Sequence, residues 1–223
     1  LDPYEGDIDP SQLTQALAKG ARDLGASIER FTPVTAIART LSGEWDVTCT
    51  KGTVRAEVVI NAAGFYGRKI AEMAGLSAPV VTLEHQYLVT ESLPALEAHS
   101  ALFPLVRDPD IRFYLRRERN GFLVGSYAHD GRPAWHPGLP PDDFAHQLFP
   151  DSVEDILEVL EATIAHVPLL GEAGAQRFVN GPIAYAPEAL PLVGPAAGAP
   201  NFYHATGVQV GITHSAAIGK AMA

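Results

Sequence analysis

The sequence predicts an α+β fold: a mixed β-sheet with flanking helices, joined to a β-meander and to a C-terminal strand and helix. Three observations predict it. Short β-rich runs parted by glycine turns fill residues 34–61; a strictly alternating run and an Asn-Gly hairpin signal follow; helical patterns with caps or apolar stripes lie on either side.

The first element is a helix in "GDIDPSQLTQALAKGARDLGASI". Asp9 serves as N-cap, Pro10 occupies the first helical position, Gln12 closes a capping box and Gly25 lies past the end. Leu13, Ala16, Leu17, Ala21 and Leu24 form its apolar stripe. The meander follows as Val34 to Thr40, Glu44 to Thr50 and Thr53 to Asn61, with Ser42-Gly43 and Lys51-Gly52 between the runs. In "EWDVTCT", Trp45, Val47 and Cys49 alternate with polar residues, which places the thiol on the buried side of its strand. "VVINAAGFYGRKIAEMAG" then passes from an apolar strand through small residues into a short helix.

In "PVVTLEHQYLVTE", Val81, Leu83, His85, Tyr87 and Val89 share one strand face, and Thr82, Glu84, Gln86 and Thr90 share the other. Asn120-Gly121, between two β-rich runs, is a hairpin signal, and a two-residue turn there sets Tyr114 across from Tyr127. Ser152 to His166 reads as an amphipathic helix with Val153, Ile156, Leu157, Leu160 and Ile164 inward and Glu154, Asp155, Glu158 and Glu161 on a solvated face. Residues 174–206 return to short strands broken by Pro and Gly. At the end, "NFYHATGVQVGIT" brackets a turn with Gly207 and Gly211, and Thr213 caps a helix from His214 to Ala223, so that free backbone N–H groups converge there.

At 223 residues, with 47% hydrophobic and 19% charged residues, the chain can bury a core and suits one or two domains. A net charge of −10 argues against nucleic acid and anionic membrane surfaces as partners. Cys49 is the single cysteine, which rules out an intramolecular disulfide and points to a reducing, cytoplasmic location. No apolar run is long enough to span a bilayer. The opening at Leu1 without Met, and the stop at Ala223 inside a helical pattern, predict a piece of a longer protein.

Eight histidines are present, but none pairs at helical spacing with an acidic third ligand, and one cysteine cannot build a zinc site. Gly-x-Ser-x-Gly and Walker patterns are missing from the sequence, which removes the usual hydrolase and nucleotide-hydrolysing readings, and no Gly-x-Gly-x-x-Gly stands between a strand and a helix. His85, amid apolar neighbours, suits either a hydrogen-bonded core histidine or a ligand cavity. Tyr114 shares its face with Arg112 and Arg116, which is either a binding face or a solvated one. Ala62, Ala63 and Gly64 after Asn61 permit close approach of a ligand, or simple strand-to-helix packing.

Taken in order, "DIDPSQLTQALAKGARDLGASI", "TPVTAI", "VVINAAGFYG", "EHQYLVT", "FYLRRER", "APEALPLVGP" and "HATGVQVGIT" resemble the FAD-dependent amine oxidoreductases of the D-amino-acid oxidase type. "EHQYLVT" and "YLRRER" are most similar to the sarcosine and dimethylglycine dehydrogenases. The resemblance covers nearly the whole chain. It implies that residues 1–78 and 186–223 are parts of an FAD-binding domain and 79–185 a substrate domain with an antiparallel sheet and helices. It also implies that Gly211, Ile212 and Thr213 offer N–H groups to the flavin edge, that Val34 lies along the adenosine, and that Ala62, Ala63 and Gly64 pack near the phosphates and ribitol. His85 and Tyr114 match a His and a Tyr on the substrate side of the flavin, and Arg116 is the candidate for the substrate carboxylate.

The implied activity is oxidation of a small N-methylated amino acid by hydride transfer to FAD. The family's N-terminal βαβ unit with its pyrophosphate turn has no counterpart in the sequence. Two alternatives follow: a cofactor-free binding or assembly module, or one half of a split flavoenzyme completed by a partner chain or missing domain that supplies the Rossmann unit. On either ground the chain alone is expected to be inactive and, when purified, colourless, binding added FAD weakly or not at all. An absorption spectrum showing one flavin per chain would overturn that expectation.

Overall fold

The computed structural model describes residues 6, 8–99, 103–127 and 131–223. The start at Leu1 lies outside them. The chain forms two compact units, one combining residues up to Val80 with Ala186–Ala223, the other being Val81–Tyr185.

In the first unit, α1 (Pro10–Asp23) begins where expected, with the Asp9 carboxylate accepting from the Gln12 N–H at 2.7 Å. Its apolar stripe, however, is not core: Leu17 is 57% and Leu24 91% exposed. The meander is β1 (Val34–Arg39), β2 (Trp45–Cys49) and β3 (Gly52–Ala56), an antiparallel sheet in that order. The expected third run of Thr53 to Asn61 divides at Glu57 and Val58. Its end, β4 (Val59–Asn61), leaves the meander and pairs parallel with β12 (Phe202–Thr206), which also pairs antiparallel with β11 (Leu192–Pro195).

Core packing explains the split. Trp45 and Phe202 meet edge to face at 5.3 Å, the indole N–H donates to the Pro200 carbonyl, and Ile37, Val47, Val59 and Ile70 close around them. Cys49 is only half-buried, not in the core as its alternation with Trp45 suggests. It ends β2, and its Sγ donates to the Gly52 carbonyl across the turn. Beyond β4, α2 (Gly67–Met73) is tied back by the buried Asn61, whose Nδ2 donates to the Gly67 carbonyl at 2.8 Å and faces His204 Nδ1 at 3.4 Å. The last helix, α5 (Gly211–Met222), starts two residues before Thr213, so Thr213 sits in its first turn and does not cap it.

The second unit is built on one antiparallel sheet. Its order is β10 (Ala175–Tyr185), β5 (Val81–Thr90), β8 (Gly121–Ser126), β7 (Phe113–Glu118) and β6 (Val106–Asp108), with β9 (Pro133–Ala134) beside β5. At eleven residues β10 is far longer than the short strands expected after residue 174, because it pairs along the whole of β5. One face of the sheet packs Phe113, Leu115, Phe122 and Val124 against the short α3 (Pro94–Glu97), Leu93 and Leu170. The other helix, α4 (Leu157–His166), begins five residues later than Ser152, because the Ser152 N–H and carbonyl are both taken by the Gln86 amide at 2.8 and 2.6 Å. Its inward face is Val159, Leu160 and Thr163 with Ile156 before it, while Val153, Leu157 and Ile164 face outward.

Gln86 and Thr90 are therefore buried on β5, and their polar atoms are satisfied by Ser152 and by the Phe122 N–H. The apolar-patterned face with His85 is the half-open one. Among the described residues no helix is long and apolar enough to cross a membrane.

Replacing Asn61 by Ala removes the buried amide that bonds both the Gly67 carbonyl and the Ala63 N–H, and the expected cost is roughly 1–3 kcal/mol. A urea denaturation curve monitored by Trp45 fluorescence should show the lower midpoint.

Candidate active site

The hairpin of β7 and β8 sets the geometry of the second unit's open face. Its turn is Arg119-Asn120 rather than Asn120-Gly121, since Glu118 pairs with Gly121 and Tyr114 with Gly125, not with Tyr127. Arg119 takes the left-handed φ of 56°. Gly121 is spent otherwise: a Cβ there would stand 2.6 Å from the Glu91 carbonyl and 2.7 Å from Thr90 Oγ1, so the glycine allows β8 to start tight against the end of β5.

With that register Tyr114 and His85 meet. The phenol oxygen lies 3.1 Å from His85 Nε2, and the two rings are parallel within 6° at 6.0 Å. The Tyr127 ring lies 5.0 Å from that of Tyr114. Burial pushes the His85 pKa below its usual 6.5 and pushes the Tyr114 phenol well above its usual range, the nearby Tyr127 and Tyr87 adding to the rise. Both groups are thus neutral at pH 7 and share one hydrogen bond.

Arg116, two residues along the same face, is half-buried and bound to the Glu118 carboxylate at 2.7 Å. Arg112 precedes β7 with φ 64° and is outside the strand that would have set it beside Tyr114. Sequence reasoning missed Glu118 as the partner of Arg116, although their i, i+2 spacing on a strand was the available signal.

A cleft of about 730 Å³ opens on the α4 side of this sheet, lined by Glu84, Gln86, Arg132, Asp155 and Asn180 among others. His85 borders it, while Tyr114 and Arg116 do not. Asp155, expected on a solvated face, lines this cleft and pairs with Arg132 at 3.0 Å, and Glu154 and Glu158 line it too. Among the described residues no cluster of three or more His, Cys, Asp or Glu is placed to hold a metal ion.

The first unit has its own candidate site. Because β4 and β12 run parallel, both strands end at one edge of the sheet, where Ala62, Ala63 and Gly64 leave β4 and Gly207 leaves β12. Thr206 Oγ1 ties the two turns by donating to the Gly64 carbonyl at 3.0 Å. Gly64 has φ 57° and Gly207 φ 68°, and a Cβ on Gly207 would stand 2.6 Å from that of Ala186. At the start of α5 the His214 N–H donates to the carbonyl of Val210, the residue before the helix, at 3.1 Å. The N–H groups of Gly211, Ile212 and Thr213 precede it at an exposed helix start and have no backbone acceptor among the described residues. Val34 is elsewhere on this unit, half-buried on β1 against the Trp45 core.

The model of the DAO family, FAD dependent oxidoreductase, matches residues 1–223. The chain belongs to this family. It is 40% identical to mouse mitochondrial dimethylglycine dehydrogenase, over 98% of this chain and 26% of that protein. Against human mitochondrial sarcosine dehydrogenase the identity is 31%, over 90% of this chain and 22% of that protein. The chain therefore spans about a quarter of the length of these relatives. Among solved structures, L-proline dehydrogenase from P. horikoshii matches with a TM-score of 0.81 at 23% identity, over 99% of this chain and 56% of that one. The fold class read from the sequence and the family it resembles are both those found. The donor set at the start of α5 fits the electron-rich edge of a flavin ring, which accepts hydrogen bonds and gathers negative charge on reduction.

For His85 the sign of the pH dependence follows from burial. Its folded pKa lies below the unfolded 6.5, so the folded protein binds fewer protons between the two values, and stability falls as pH drops through the lowered value. NMR titration of the histidine ring signals should place His85 below 6.5; a midpoint at or above that value would contradict the buried neutral imidazole.

Proposed function

We propose that the chain is part of a flavoenzyme that oxidises a small N-methylated amino acid of the dimethylglycine or sarcosine class. The observation that carries this reading is the 3.1 Å contact of His85 with Tyr114, two groups held neutral on the half-open face of the sheet. The names of the relatives, at 40% and 31% identity, support the substrate class.

An amine gives up hydride from its carbon only when its nitrogen is neutral. The His85 imidazole, itself neutral at pH 7, can take the ammonium proton of the bound substrate on a ring nitrogen. Tyr114 stays protonated and steadies the imidazole or the amine through its hydroxyl. Arg116 is our candidate for the substrate carboxylate; it would share its guanidinium with Glu118, and that ion pair lowers the net charge it offers to the substrate. FAD, when bound, supplies the hydride acceptor. Gly211, Ile212 and Thr213 would hold its electron-rich edge, Ala62, Ala63 and Gly64 would allow its phosphates and ribitol to approach, and Val34 would line the adenosine. A glycine-rich turn for the pyrophosphate would come from outside these residues, on the same polypeptide or on a partner chain.

In the full-length, flavin-loaded protein, His85→Ala should slow flavin reduction by dimethylglycine and sarcosine by roughly a hundredfold or more, the usual scale of general acid–base catalysis. The acid limb of the parental rate profile, lying below pH 6.5, should disappear while flavin content stays the same. Stopped-flow traces at saturating substrate measure both. A parental rate with an unchanged profile would return His85 to the role of a core histidine.

A further inference from the structure

We propose that Gly125 is a positioning residue for the His85–Tyr114 pair, because by carrying no side chain it leaves the gap in β8 through which the Tyr114 phenol crosses to β5. His85 stands on β5 and Tyr114 on β7, with β8 between them. Adjacent strands lie about 4.8 Å apart, so the two backbones are separated by roughly 9.6 Å. On the strand between, Gly125 pairs with Tyr114 on one side and with Tyr87 on the other. A Cβ built on Gly125 would overlap Cζ, Cε1 and the hydroxyl of Tyr114.

The backbone does not call for glycine here. Gly125 is not among the residues with positive φ, and the interior of a strand ordinarily favours β-branched or aromatic side chains. The approach of the ring accounts for it. Gly181 is the natural comparison: it pairs with His85 on the other flank, yet a Cβ there would meet nothing closer than Leu148 Cδ2 at 3.8 Å, an ordinary contact. Of the two glycines that flank β5, Gly125 is required by a side chain crossing over it and Gly181 is not.

The catalytic part of this proposal rests on the reading that the pair handles the substrate amine. The test is a double-mutant cycle in the full-length, flavin-loaded protein, with Gly125→Ala made in the parent and in Tyr114→Ala, and Gly181→Ala as control. In the parent, Gly125→Ala should lower Tm by several degrees, slow flavin reduction at least tenfold and move its pH profile. In Tyr114→Ala, where no ring remains to collide, the same methyl should change neither Tm nor rate, and Gly181→Ala should behave as the parent. Equal losses in both backgrounds, or none in either, would overturn the proposal, as would coupled Tm values with an unmoved rate and pH profile. If Gly125→Ala alone fails to fold, recovery in the double variant supports the proposal and failure of both overturns it. The functional reading fails separately, when His85→Ala leaves flavin reduction at the parental rate.

Discussion

Closing the β7–β8 hairpin on Arg119 and Asn120 sets Glu118 against Gly121 and therefore Tyr114 against Gly125, and the candidate site follows from that pairing. In an antiparallel pair a slip of one residue would turn Tyr114 onto the core face, and a slip of two would set it against Tyr127. The register is held from outside the hairpin. The Phe122 N–H donates to Thr90 Oγ1, and the Leu93 N–H donates to the Asn120 carbonyl, so the turn is clamped to the segment that leaves β5. A strand that carries His85 thus also fixes the hairpin that carries Tyr114.

In the first unit the comparable constraint is the parallel pairing of β4 with β12. Two parallel strands deliver two turns to one sheet edge, and Asn61 and Thr206 hold those turns with side chains. Asn61 is buried with its amide facing the Gly67 carbonyl and His204, while its Oδ1 accepts from the Ala63 N–H at 3.3 Å. A Cβ on Gly67 would collide with the Thr206 side chain, so α2 can start there only as a glycine. The small residues of this stretch are accounted for by packing between protein segments at Gly67 and Gly207, and they leave Ala62 and Gly64 exposed.

Elements with local signals were legible in the sequence. The Asp9 cap, the turns at Gly43 and Gly52 and the alternation along β5 each state a preference that a few neighbouring residues decide. What long-range packing decides was not legible. Asn120-Gly121 carries the strongest hairpin signal in the chain, yet Gly121 answers to Thr90 and Glu91, thirty residues away. The apolar period of Ser152 to His166 runs through residues that stop being helical because Gln86 claims Ser152. The alternation in β2 placed Cys49 with Trp45, but only the residue opposite the Phe202 ring is fully covered. For the site, His85 and Tyr114 were visible as residue types on strand faces, whereas the pairing that brings them together across Gly125, on the strand between them, appears only once the register is known.

The strand β5 serves both sides of its sheet. Thr82, Gln86, Leu88 and Thr90 are buried on one face, while Leu83, His85 and Tyr87 remain half-open on the reverse. Alternate positions along ten residues therefore answer to separate demands. Variation at the even-numbered positions is filtered by whether the chain folds, and variation at the half-open odd ones by what the face must recognise. Such a strand can drift in specificity while its scaffold stays fixed, and the same backbone can be inherited by proteins that have come to act on different molecules.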